Sequence, residues 1–359
     1  MSKETIFKII SIIIIPILFI EIFLNILYLF RQEINPIIRD RIATILNKNT
    51  DVKIKEMWKE YSKAGKFDHL SHVSHKRSPY KGNYINIDIN RNRHTVNPTI
   101  TDSSLLKTVW FFGGSTMWGT GAENDSVTIP SLVIQMLNES DNNFSYKGIN
   151  FGESGYTSTS SLIQLLISLR NDKPDFIIFL DGVNDCGNSF TSGLPDVESN
   201  YLFKKYIVEN KKDPDYSISK IIYFMKRFGL VKSVRHKIYY KENLNLDQKI
   251  AEIITSNWGI VNDLCNIQNI GFHAFLQPNA LVGDYAKKYT PDSKMKSFYK
   301  STYKNVISKN IKKKYFHDLS NIMPIEYKYF YDGWCHTSSI GNIIIAKSIV
   351  SKFNEKIYY

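Results

Sequence analysis

Cysteine is scarce. Cys186, Cys265 and Cys335 are the whole complement in 359 residues, too few to staple a small secreted scaffold, and no pair has the CxxC spacing of a zinc site. They read as small buried hydrophobes; a bridge between Cys186 and Cys335 is open only if the segments they flank converge. Acidic residues are also in deficit. With 34 Asp plus Glu against 46 Lys plus Arg, the formal charge is +12, which favours anionic partners such as lipid headgroups or acidic glycans. Zinc-finger spacing, RNA-binding signatures and helix-turn-helix patterns are all lacking, so stretches such as Lys312-Lys-Lys314 read as solvated faces and nucleic acid is not expected. There are no internal repeats and no low-complexity tracts. A hydrophobic content of 43% argues against disorder and is enough for one large or two small cores.

One long apolar run stands out. From Ile9 to Phe30 the chain is almost unbroken Ile, Leu and Phe, a stretch that as a helix spans about 33 Å and is long enough to cross a bilayer. It leads into Tyr28-Leu-Phe-Arg-Gln-Glu without a small-x-small cleavage site, which favours an uncleaved anchor over a signal peptide. Pro16, Glu21 and Asn25 interrupt it; a membrane helix tolerates the proline, whereas Glu21 requires protonation or a partner. Lys3 and Lys8 precede the run while Arg31, Arg39, Arg41 and Lys48 follow it, so the charge balance does not place the amino terminus in the cytosol.

Residues 31–105 read as a juxtamembrane stalk and lead-in, with helical spacing over Val52 to Tyr61. His69, His72 and His75 recur every third residue there, but no carboxylate or cysteine joins them at matching spacing. They are read as solvated or locally hydrogen-bonded histidines, not as a metal face. From residue 106 to the end, strand and helix patterns alternate: strands over 108–112, 146–151, 176–180 and 271–276, helices over 128–137, 159–169, 248–265 and 339–354. Such alternation implies a mainly parallel sheet with helices on both faces, a three-layer α/β/α sandwich. The stretch 190–250, rich in Tyr, Lys and Asn, reads as an insertion or cap.

In that architecture reactive groups gather in loops at the carboxyl ends of strands, and three of four candidate segments lie there. Val109-Trp-Phe-Phe-Gly-Gly-Ser-Thr ends an apolar strand in two glycines and presents the hydroxyl of Ser115. Gly155 follows the second strand, Asn184 the third, and Asp332 and His336 precede the last helix. Acyl transfer needs a nucleophile, a base and donors aimed at the developing oxyanion. Ser115 is the candidate nucleophile, His336 the base and Asp332 its orienting carboxylate. The backbone N–H groups of Ser115 and Gly155, with the Asn184 amide, are candidate oxyanion donors. No metal or organic cofactor enters this chemistry.

Gly113-Gly-Ser-Thr, Ser154-Gly-Tyr-Thr, Gly182-Val-Asn-Asp185 and the Asp332 to His336 segment resemble the four sequence blocks of SGNH hydrolases, the GDSL-type esterases. The resemblance covers about residues 105–190 and 270–355. It implies a flavodoxin-like SGNH fold, with Ser115, Gly155, Asn184 and His336 at the four named positions. It also implies an extracytoplasmic catalytic domain acting on an acylated glycan or lipid. Two departures are visible. Gly114 stands where the family often has Asp, and Asp332-Gly-Trp-Cys-His336 is one residue longer than the usual Asp-x-x-His. Either Asp332 reaches the imidazole through a looser turn, or a backbone carbonyl orients it instead. The sequence around Ser115 lacks Gly-x-Ser-x-Gly, which argues against an α/β-hydrolase elbow. Three functions fit these features: a membrane-anchored serine esterase, an O-acyltransferase using the same serine, and an inactive binding or scaffold subunit.

Overall fold

The computed structural model describes residues 16, 19, 51–70, 72–99, 106–141, 143–197, 245–290, 293–326, 329, 330, 332 and 334–354. They belong to two units. Of the smaller (Met1–Arg41, Thr191–Gly193, Asn200–Glu242), only residues 16, 19 and 191–193 are described. The larger (Ile42–Phe190, Leu194–Ser199, Asn243–Tyr359) holds the sheet and every candidate site residue. The expected anchor at 9–30 and most of the expected cap at 190–250 therefore lie outside the described residues. Among the described residues no helix is long and apolar enough to cross a membrane.

In chain order the larger unit opens with helix α1 (Asp51–Lys63) and the short strands β1 (Phe67–Leu70), β2 (Ser74–Arg77), β3 (Tyr80–Lys81) and β4 (Asn86–Ile87). Then come β5 (Leu106–Gly113), the single-turn α2 (Ser115–Trp118), α3 (Ile129–Ser140), β6 (Ser145–Asn150), α4 (Ser158–Ser168), β7 (Phe176–Asp181) and α5 (Val183–Ser192), of which the larger unit includes the part up to Phe190. The unit closes with α6 (Leu246–Gln268), β8 (Gly271–Leu276), α7 (Gly283–Tyr289), α8 (Lys294–Asn310), β9 (Phe316–Asp318) and α9 (Ser339–Asn354).

Strands β5 to β9 form one parallel sheet in the order β6-β5-β7-β8-β9. This is the three-layer α/β/α architecture the alternation implied. Strand β7 explains why the sheet is covered on both sides: Ile177, Ile178, Phe179 and Leu180 are all fully buried, so successive side chains point into two different cores. Phe179 joins the core under α4, α6 and α8, while Ile178 and Leu180 join the one under α3 and α9. Each such side chain contributes about 1.5–3 kcal/mol by leaving water. Helix α3 shows the local signals that start it: Thr128 caps it by accepting from the Ser131 N–H, and Pro130 sits in its first turn.

The chain runs from β5 to β6 on one side and then back across β5 to β7 on the other. The loops after these three strands therefore face a common crevice at the point where the order reverses. Ser115, Gly155 and Asn184 lie in or just after those loops.

The lead-in differs from a helical stalk beyond its first helix. Helix α1 covers the segment with helical spacing, but β1 pairs antiparallel with β2 and β3 with β4, and Arg93 bridges in antiparallel sense to Asn150 at the end of β6. Two buried ion pairs tie this segment to the sheet domain: Arg77 with Glu153, and Arg93 with Asp125 at 2.9 Å. Both guanidinium groups lie over the Trp118 ring, at 3.8 and 4.5 Å from its centroid, so charge and ring face are neutralised together away from water. His69 and His75 stand opposite one another across the first hairpin.

Candidate active site

The nucleophile loop is shaped by close approach. A Cβ at Gly113 would fall 2.5 Å from the Leu180 carbonyl oxygen, and one at Gly114 2.3 Å from the Asn184 amide nitrogen. An acid at position 114 would displace Asn184, which is the physical reason for glycine there. Ser115 then begins α2, and its carbonyl accepts from Gly119 N at 3.0 Å and Thr120 N at 2.8 Å. As the first residue of the turn, its own N–H has no acceptor within the helix. The residue is buried to 8% exposure.

His336 Nε2 lies 2.7 Å from Ser115 Oγ, and His336 Nδ1 lies 2.5 Å from Asp332 Oδ2. One continuous hydrogen-bonded path therefore links hydroxyl, imidazole and carboxylate. The longer Asp-x-x-x-His spacing is accommodated by a looser turn, because Asp332 Oδ1 accepts from the N–H groups of Trp334, Cys335 and His336 at 2.9, 3.1 and 3.2 Å. One oxygen fixes the loop while the other faces the ring. Burial pushes the Asp332 carboxyl up, but the His336 hydrogen bond and charge and these backbone donors outweigh it, holding the group below the usual carboxylate value.

The histidine loop is docked on the nucleophile loop through Thr116 and Cys335, supported by Gln277 and Tyr303, two residues that no sequence block marks. Thr116 Oγ1 donates to the Cys335 carbonyl at 3.1 Å, and Gln277 Nε2 donates to Thr116 Oγ1 at 2.8 Å. Tyr303 OH in turn donates to the Gln277 carbonyl at 2.8 Å. Gln277 lies just past β8 and has no place in the sequence blocks; a polar residue at a strand's carboxyl end was the available signal.

The segments carrying the other candidate donors lie against the nucleophile loop, since a Cβ at Gly114 would fall 2.3 Å from Asn184 Nδ2 and 3.4 Å from the Tyr156 carbonyl oxygen. Tyr156 N donates to the Glu153 carbonyl at 3.2 Å, and Gly155 at the third position of this turn has φ 82°, the backbone of a type II turn, which favours glycine there. Asn184 Nδ2 donates to the Tyr156 carbonyl at 2.8 Å, which uses one amide hydrogen and leaves a second for a substrate oxygen.

Beneath these loops lie two buried acidic side chains, Asp181 and Asp185. Asp185 accepts from Ser158 N at 3.0 Å, Ser158 Oγ at 2.6 Å and Gly182 N at 3.2 Å, so it ties the Asn184 turn to the start of α4. Asp181 accepts from Ser161 Oγ at 3.0 Å and Trp258 Nε1 at 3.1 Å. Burial, then the charge of Asp185, pushes Asp181 up to about 8. Burial pushes Asp185 up as well, against the pull of its donors from Ser158 and Gly182, and Asp181, with fewer donors and a value of about 8, keeps its proton at neutral pH.

This pair has a consequence for stability. An unfolded Asp titrates near about 3.9, so between that value and about 8 the native state binds more protons and wild-type stability falls as pH rises. Asp181→Asn has no such proton to lose. Its amide can still donate to Ser161 and accept from Trp258. We expect its unfolding free energy to gain on wild type from about pH 5 to about pH 8, by at most ~1.4 kcal/mol per pH unit, with its melting temperature rising in step and no further gain above. Calorimetry across that range checks this; a constant difference would contradict the protonated assignment.

Asp332, Cys335 and His336 also bring three potential metal-ligand atoms within 4.8 Å of one another. Both ring nitrogens of His336 already face Asp332 and Ser115, and burial, with the Asp332 charge, pushes the Cys335 thiol well up. The group is therefore suited to moving a proton, not to holding a cation. Cys186, Cys265 and Cys335 are buried and in no disulfide, so there is no bridge between Cys186 and Cys335.

No protein-family model matches the chain, and no curated protein matches it in sequence. Solved structures similar to it include the acetyl xylan esterase AlAXEase, at 13% identity over 68% of this chain and 98% of that one, with a TM-score of 0.38. The psychrotrophic esterase EstA from Pseudoalteromonas sp. is 10% identical over 70% of this chain and 100% of that one, with a TM-score of 0.37. A GDSL-like lipase from Bacteroides thetaiotaomicron is 15% identical over 69% and 88%, with a TM-score of 0.38. Similarity at this level leaves substrate and chemistry to be read from the site itself.

Proposed function

We propose that the protein is an SGNH-type serine esterase that removes a short acyl group from a glycan or lipid through an acyl-serine intermediate. The observation that carries this is the path from Ser115 Oγ through both nitrogens of His336 to Asp332. Ser115 Oγ attacks the ester carbonyl carbon as His336 Nε2 takes its proton, and Asp332 stabilises the imidazolium through Nδ1–H. The carbonyl oxygen gains negative charge and is met by the N–H groups of Ser115 and Gly155 and the Asn184 amide. Collapse expels the alcohol, which takes the proton from Nε2. Water, deprotonated by the same nitrogen, then attacks the acyl-serine, releasing the carboxylic acid and restoring Ser115.

The apolar run at 9–30 and the charge of +12 support a membrane-tethered enzyme that meets its ester at an anionic surface. The outward orientation follows the family resemblance. The full chain in detergent micelles should turn over p-nitrophenyl acetate. Cells lacking the protein should carry more acyl groups on the substrate glycan or lipid, read by mass spectrometry. No turnover of any acyl ester, with substrates unchanged in such cells, would sink the proposal.

A further inference from the structure

Contacts from the first hairpin converge on one peptide group of the site. The Ser154–Gly155 peptide is the centre of the type II turn, and its N–H is the second oxyanion donor. Its carbonyl oxygen lies 2.8 Å from His75 Nε2. A carbonyl only accepts, so Nε2 carries the hydrogen, and in the neutral ring Nδ1 accepts from Ser74 Oγ at 2.9 Å. The peptide is trans and planar, with C=O and N–H on opposite edges. A bond that holds the Ser154 oxygen therefore sets the direction of the Gly155 N–H and polarises it.

The same strand grips the turn elsewhere. Tyr156 OH donates to the His75 carbonyl at 2.7 Å, and Arg77 donates from Nη2 to Ser154 Oγ and from its backbone N to Glu153 Oε2, both at 2.9 Å. Glu153 Oε1 accepts the Ser154 N–H at 2.6 Å. The His75 ring stands edge-on to Phe67 and Tyr156, with centroids 5.0 and 5.7 Å away. Its imidazole is thus seated by packing as well as by hydrogen bonds.

We propose that His75, on a hairpin outside the sheet, is a positioning residue of the oxyanion hole. Its Nε2–H holds the Ser154–Gly155 peptide so that the Gly155 N–H meets the oxygen of the tetrahedral intermediate. The inference rests on the esterase reading and on Gly155 as donor. A donor that rocks out of line loses stabilisation of the transition state and not of the bound ester, so kcat falls and KM stays.

The test uses His75→Phe, which keeps a ring against Phe67 and Tyr156 and removes the N–H, and His75→Gln, whose amide restores a donor. With p-nitrophenyl acetate, His75→Phe should lower kcat by roughly 10- to 100-fold with KM within about threefold. His75→Gln should recover to within about threefold of wild type, and affinity for a trifluoromethyl ketone, which forms a tetrahedral adduct, should fall in step with kcat/KM. If near-UV circular dichroism shows His75→Phe unfolded, His75→Leu carries the same test. A wild-type kcat in the folded variant, or a lost rate with unchanged ketone affinity, would overturn the positioning role. Ser115→Ala is run beside them. Undiminished turnover by that variant would refute the esterase reading itself, whereas an inert Ser115→Ala beside a fully active His75→Phe would refute only the role of His75.

Discussion

Ser115→Ala is expected to reduce turnover of p-nitrophenyl acetate by roughly 10⁴- to 10⁶-fold, leaving a residue of catalysis from the oxyanion donors and binding alone. The magnitude follows from what the alanine removes. Without Oγ there is no covalent intermediate, and His336 Nε2, now 2.7 Å from nothing that can attack, has no proton to take. The fold should be untouched, because among the described residues Ser115 Oγ is hydrogen-bonded to His336 alone and the loop is held by Gly113, Gly114 and the Ser115 carbonyl. An unchanged melting temperature beside the lost rate separates chemistry from collapse.

Asp332→Asn is expected to cost nearly as much, roughly 10³- to 10⁴-fold in kcat. The three backbone N–H groups on Oδ1 decide which way the new amide turns. They require an acceptor, so the asparagine oxygen stays with them and its NH₂ faces His336 Nδ1. That nitrogen must then accept, which puts the ring hydrogen on Nε2, where it cannot take the Ser115 proton. Wild-type Asp332 stays ionised because its folded value lies below the ordinary one. Its contribution to stability is present above about pH 3.9 and is lost only as pH falls through the lower folded value. Acid loss of activity above about pH 5 therefore does not come from Asp332. A pH–rate profile of wild type against Asp332→Asn checks both points; an asparagine variant within tenfold of wild type would remove Asp332 from the proton path.

Much of the site was legible because its signals are local. An apolar strand that ends in glycines, a polar loop and a capped helix can each be read within about ten residues. The parallel sheet and the convergence of Ser115, Gly155 and Asn184 follow from that repeating unit. The reach of Asp332 was not legible, since it depends on three amides folding back onto one oxygen, which spacing alone leaves open. Helix α8 was missed because its buried stripe is Tyr299, Thr302, Tyr303, Val306 and Asn310, polar in composition although helical in period. The hairpin clamp was invisible for another reason: Arg77 meets Glu153, 76 positions away, and no local pattern announces such a partner. His75 illustrates the point. Its recurrence with His69 and His72 was read as that of solvated or locally hydrogen-bonded side chains, while its actual partner is the distant Ser154 carbonyl.

The nucleophile can be identified directly by mass. Wild-type protein treated with a p-nitrophenyl alkylphosphonate should gain one phosphonyl group, release one equivalent of p-nitrophenol, and yield a single modified peptide carrying the adduct on Ser115. No adduct, or one on another residue with Ser115 unmodified, would contradict the account.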